Sequence, residues 1–72
     1  MKKLQAKRAQ IYDYIVEFLN HNGYPPSIRE IGEHVHIKST SAVNYHLKKL
    51  EKDGFISRAE GKARSIVVLD IH

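Results

Sequence analysis

Two helix starts stand twelve residues apart, at Ser27 and Ser39, and no other feature of this 72-residue chain constrains its fold as much. Ser27 and Glu30 have the spacing of a capping box. The serine hydroxyl accepts from the Glu30 amide while the Glu30 carboxylate reaches back to the Ser27 amide. Pro25 and Pro26 lie just ahead and stop any earlier helix from running through. Ile28, Ile31 and Val35 then repeat at helical spacing, which predicts a helix over about residues 28–35. Ser39 is the second cap, after a short turn of His36, Ile37 and Lys38. A short helix, a turn of three or four residues and another helix make a helix-turn-helix. Val35, Ile37 and Val43 fall at the inside of the corner. Gly32 within the first of the two helices costs roughly 1 kcal/mol relative to alanine, a cost that close packing against a neighbour explains.

The second helix is predicted over about residues 40–53. Val43, Leu47 and Leu50 occupy one face at i, i+4 and i+7, and Gly54 can adopt the left-handed conformation that ends a helix. The opposite face collects Ser41, Tyr45, Lys48 and Lys52, flanked by Asn44 and Lys49. Small hydrogen-bonding groups sit towards its N-terminal end and lysines towards its C-terminal end. A helix that enters a DNA groove needs both: short polar groups for base edges and cations for phosphates. Taken alone, such a face is more often the solvated side of a structural helix, so the rest of the chain has to decide.

Before this pair, Leu4, Ile11, Ile15 and Phe18, widened by Tyr14 and Leu19, predict a helix over about residues 5–22, stopped by Asn22 and Gly23. Tyr12 and Tyr14 have the chemistry to stack on nucleobases, but tyrosines on an amphipathic helix usually pack. After Gly54, "FISR" alternates apolar and polar. "AEGKAR" is a turn-rich basic loop, and "SIVVLDI" is a β-branched run. Two extended runs around a glycine-containing loop predict a hairpin over about residues 55–69. The expected fold is mostly α with a small β-hairpin: a three-helix winged helix-turn-helix, one domain over residues 1–72.

Charge sharpens the reading. The net charge is +4, from 12 Lys and Arg against 8 Asp and Glu. Residues 1–37 hold five cations and four anions, whereas residues 38–64 hold seven and three. The excess therefore lies on the third helix and the hairpin, the footprint of a site for a polyanion. There is no cysteine, so disulfides and thiolate sites are excluded. The N-terminus is basic but leads into no apolar run of signal-peptide or membrane-spanning kind, and a soluble intracellular protein is expected. Five histidines form no HExxH pattern, and His34 and His36 do not share a helix face, so neither metal nor cofactor is expected. His46, beside the apolar stripe of the third helix, is expected to be a packing residue. Ser39 and Ser41 have no partner base, and no nucleophile, base and oxyanion donor assemble. The chain is not expected to be an enzyme.

The stretches "GYPPSIREIGEHV" and "STSAVNYHLKKLEKDGFISR", followed by a short basic hairpin, closely resemble the DNA-binding domain of the LexA repressor family. The resemblance covers roughly Leu4 to Leu69. It implies a transcriptional repressor of DNA-damage (SOS) response genes in the bacterial cytoplasm, associated with the nucleoid. The partner would be double-stranded DNA with a palindromic operator, bound as a homodimer through a domain beyond these residues. It also implies that Ser39, Ser41, Ala42, Asn44 and Tyr45 read bases. Arg29 and, on the wing, Lys62 and Arg64 match places that approach the DNA backbone or minor groove, and Lys38, Thr40, Lys48 and Lys52 are expected to meet the backbone as well. No membrane or small-molecule substrate is implied, and the family's self-cleaving serine–lysine pair has no counterpart up to His72. Asn44 and Tyr45 depart from the best-known members, so a different operator is expected; asparagine suits adenine and tyrosine suits a thymine methyl. His36 stands where the family usually has glycine. The alternatives are a winged helix that binds a protein partner, or a regulator unrelated to DNA damage. Against the former, only Tyr45 is a large apolar residue on the outer face of the third helix. A winged helix for single-stranded or structured nucleic acid would lean on aromatic stacking, and the wing has no aromatic residue.

Overall fold

The computed structural model describes residues 5–59 and 65–69. Along them run α1 (Ala6–Asn22), α2 (Ile28–Val35), α3 (Thr40–Lys52), β1 (Ile56–Ser57) and β2 (Val67–Val68). Three helices and a small antiparallel pair of strands make the mostly helical, winged arrangement that the sequence predicts. Leu4, Lys62 and Arg64 lie outside the described residues.

Local chemistry sets each helix end. Both halves of the α2 capping box form, with the Ser27 amide donating to Glu30 Oε1 at 2.8 Å and the Glu30 amide donating to Ser27 Oγ at 3.2 Å. At the other end His36 takes the left-handed conformation, φ 61° and ψ 41°. The next amide, Ile37, then donates back to the Gly32 carbonyl at 2.8 Å, a six-to-one bond that closes the helix. The same closure explains Gly32: a Cβ there would lie 2.7 Å from the Ile37 carbonyl oxygen. The turn is thus tight because residue 32 has no side chain and residue 36 tolerates positive φ. α3 begins with the Ala42 amide donating to Ser39 Oγ at 3.3 Å. It ends with Gly54 at φ 84°, the Phe55 amide donating to the Leu50 carbonyl at 2.9 Å and the Gly54 amide to Glu51 at 3.1 Å.

Every element contributes to one core. Ile11 and Ile15 come from α1, Ile31 and Val35 from α2, Val43, Leu47 and Leu50 from α3, and Phe55, Ile56 and Ile66 from the hairpin. Each such burial contributes about 1.5–3 kcal/mol. The hairpin is brief but anchored. Ile56 pairs with Val68 and Ser57 with Val67, and the Leu69 amide donates to the Phe55 carbonyl at 2.9 Å. Phe55 meets Tyr12 of α1 edge to face, with centroids 5.4 Å apart. Tyr14 stacks on His34 at 4.0 Å, so both tyrosines of α1 serve packing. Lys7 Nζ donates to the Val35 carbonyl at 3.0 Å, which places a cation at the C-terminal end of α2, where the helix dipole favours it. The core therefore locks the inner faces of α2 and α3 and leaves the outer face of α3 uncovered beside the hairpin.

Candidate nucleic-acid interface

The outer face of α3 follows from its inner one. Val43, Leu47 and Leu50 are buried, so the side chains about 180° around the helix must face out. Ser39, Thr40, Ser41, Lys48 and Lys52 are exposed, Tyr45 is 55% exposed, and Ala42, Asn44 and Lys49 are half-buried on the flanks. From Ser41 to Lys52 this surface runs about 16 Å along the helix. Hydroxyls and an amide occupy its first two turns and lysines the last two. The Ser39 cap uses an oxygen lone pair, so its hydroxyl proton can still be donated outside the helix.

Arg29 is exposed in the first turn of α2. It lines an open groove together with Lys38 and Thr40, between α2 and the start of α3, with Glu33 and His36 along the same groove. The N-terminus of α2 itself already holds the Glu30 carboxylate of the capping box. Its attraction for an outside anion is thereby reduced, and the Arg29 guanidinium is the stronger group for a phosphate there. Lys62 and Arg64 lie outside the described residues, so the expected base-reading set and five of the seven expected backbone residues can be located.

Two side-chain networks flank the face. On one side the Tyr45 ring has the Arg8 guanidinium 5.9 Å and Lys49 Nζ 5.7 Å from its centroid. Both are within the range at which a cation is attracted to a ring face. Arg8 also donates from Nε to His46 Nδ1 at 3.3 Å. His46 is buried and accepts at Nδ1, which is therefore the unprotonated nitrogen. Burial first, then the charges of Arg8 and Lys7, hold its pKa below the ordinary value of 6.5. His46 is thus the packing residue the sequence suggested, with an unforeseen second role as the anchor for Arg8.

On the other side Asn44 Oδ1 accepts from Arg58 Nη1 at 3.0 Å, and Arg58 Nη2 meets Glu51 Oε2 at 3.3 Å. The Arg58 and Glu51 side chains are 17% and 32% exposed. Arg58 follows β1 directly, so its fork joins the hairpin to two turns of α3. Arg58 stands beside the basic loop in the sequence, and its charge is met by Glu51 within the domain. Arg8, Arg58 and Glu51 are the residues that pattern reading missed. Arg8 is 38 positions from its partner and Arg58 is 14 from Asn44, separations that no helical or strand repeat spans. Among the described residues no group of three or more His, Cys, Asp or Glu is placed to hold a metal ion, and no helix is long and apolar enough to cross a membrane.

A family model, the LexA DNA binding domain, matches residues 1–65. The chain is 51% identical over 71 residues to a LexA repressor of Halalkalibacterium halodurans, covering 99% of this chain and 34% of that protein. A LexA repressor of Clostridium perfringens is 45% identical over 71 residues, covering 99% and 35%, and one of Myxococcus xanthus is 46% identical over 67 residues, covering 93% and 30%. The chain spans about a third of the length of these relatives. On the strength of a match that takes in all three helices and the first strand, the chain belongs to the LexA DNA binding domain family.

Proposed function

We propose that this domain is the DNA-reading part of a transcriptional repressor of DNA-damage response genes, and that two copies bind a palindromic operator in double-stranded DNA. The outward face of α3 is the observation that carries the reading. It presents hydrogen-bonding groups and then lysines on a helix whose other side is fixed in the core. α3 enters the major groove with Ser39, Ser41, Ala42, Asn44 and Tyr45 towards base edges. Arg29, Lys38, Thr40, Lys48 and Lys52 meet phosphates on either side, and Lys62 and Arg64 of the wing reach the adjacent backbone or minor groove. The domain acts by binding rather than by chemistry, and it works at the bacterial nucleoid.

Physical chemistry sets the strength and limits of such binding. Phosphate contacts release counterions and supply most of the affinity, so binding falls steeply with salt. One copy of α3 reaches only a few base pairs. Tight, selective binding therefore needs two copies on half-sites related by the twofold symmetry of a dimer. In the longer relatives, sequence beyond the matched third is where such pairing would be supported. Selection of bound sequences from a pool of random duplexes, at two salt concentrations, tests the reading. A palindrome should be enriched, and retention should drop sharply at the higher salt. Enrichment of no palindrome, or binding indifferent to salt, would sink it.

A further inference from the structure

We infer that Arg58 is a positioning residue for sequence reading. It pins the Asn44 side-chain amide in one orientation, and Glu51 holds Arg58 in place. The inference rests on the proposal above that Asn44 reads a base. A guanidinium carries hydrogen-bond donors only, so the amide group it faces must be the oxygen. The Asn44 Oδ1 contact with Arg58 Nη1 at 3.0 Å therefore sets which way round the amide stands, with its NH₂ group on the side away from Arg58. The Glu51 carboxylate, 3.3 Å from Nη2, keeps the fork from swinging out to solvent. Arg58 is mostly buried, as this role requires.

Orientation matters because the major groove presents an ordered code. Along one direction an A·T pair offers the adenine N7 acceptor, the N6 donor, the thymine O4 acceptor and then the methyl, while the reversed pair puts the methyl first and N7 last. An exposed asparagine can turn its amide over at little cost and satisfy either order. A pinned asparagine offers its donor and its remaining lone pair in one order only, so it pairs with N7 and N6 in one orientation of the base pair and in the other meets only O4 beside the thymine methyl, a poorer fit. Arg58 thereby determines specificity at a base pair without touching it. Because Glu51 meets its charge, Arg58 adds no phosphate contact.

The test uses a half-site in which every base pair is changed in turn, with affinities taken at several salt concentrations for wild type, Asn44→Ala, Arg58→Met and the double variant. Methionine retains most of the arginine stem and removes the donors. Arg58→Met should flatten preference by roughly fivefold or more at the position that Asn44→Ala affects, and leave other positions intact. The double variant should match Asn44→Ala there, and the salt slope of Arg58→Met should equal that of wild type. If Arg58→Met instead weakens every sequence alike and lowers the salt slope by about one, Arg58 is a phosphate contact and the inference is wrong. It is equally wrong if the Asn44 position keeps its preference. An Asn44→Ala profile identical to wild type overturns both this inference and base reading by Asn44, whereas failure of the Arg58 variant alone overturns only the former. Should Arg58→Met fail to fold, Glu51→Gln substitutes for it: it keeps the shape and frees the fork, and it should flatten the same position to a smaller extent. No change at that position in Glu51→Gln would overturn the inference.

Discussion

At residue 32 the backbone carbonyl of Ile37 comes so close that a methyl group would stand 2.7 Å from its oxygen. That oxygen belongs to the same residue whose amide closes α2 on the Gly32 carbonyl, so it cannot retreat far without disturbing the turn. Gly32→Ala gains roughly 1 kcal/mol of helix propensity but forces this contact apart. Overpacking at a site with no room costs typically 1–3 kcal/mol or more. The expected outcome is a net loss of about 1–2 kcal/mol in urea unfolding, and a stabilised variant would show that the turn can give. His36 answers the same geometry from the other side. At φ 61° it pays a steric cost that glycine, the family's usual residue there, would not.

At the scale of elements, α1 is tied to α3 by the Arg8–His46 hydrogen bond, and that tie is sensitive to pH. Neutral His46 accepts the bond, and protonation removes the acceptor while adding a charge beside Arg8 and Lys7. The folded-state pKa is lowered from 6.5, so between the two values the unfolded chain binds more protons. The His46 contribution is therefore complete above about pH 7 and is lost as pH falls through 6.5 towards the folded pKa. His46→Gln keeps an acceptor for Arg8 without a titrating group. Its unfolding free energy should vary less with pH in that window, and an unchanged pH profile would count against the role given to His46. Caps, turns and faces of this domain were legible in the sequence because they obey short-range rules: the Ser27–Glu30 box, the stop at Gly54, the outward set Ser41, Tyr45, Lys48 and Lys52. The Arg8–His46 bond, the Lys7 cap on Val35 and the Arg58 fork were not. Each joins side chains that only tertiary packing brings together, and a surface cation and a buried fork look alike in a string of residues.

The whole molecule divides its charge and its packing between two surfaces. The core binds α1, α2, α3 and the hairpin through their apolar sides, and among the described residues Lys48 and Lys52 stay on the exposed side of α3. The two halves of that surface are proposed to do different work. Asn44, in the second turn of α3, would discriminate between base pairs, and Lys48, one turn further on, would only attract phosphate. A per-base-pair affinity profile of Asn44→Ala and Lys48→Ala, each taken across a range of salt, tests that division most directly. Asn44→Ala should cost about 1–3 kcal/mol at one base pair and leave the salt slope unchanged, while Lys48→Ala should weaken all sequences alike and lower the slope by about one. Two variants with the same profile and the same slope would contradict it.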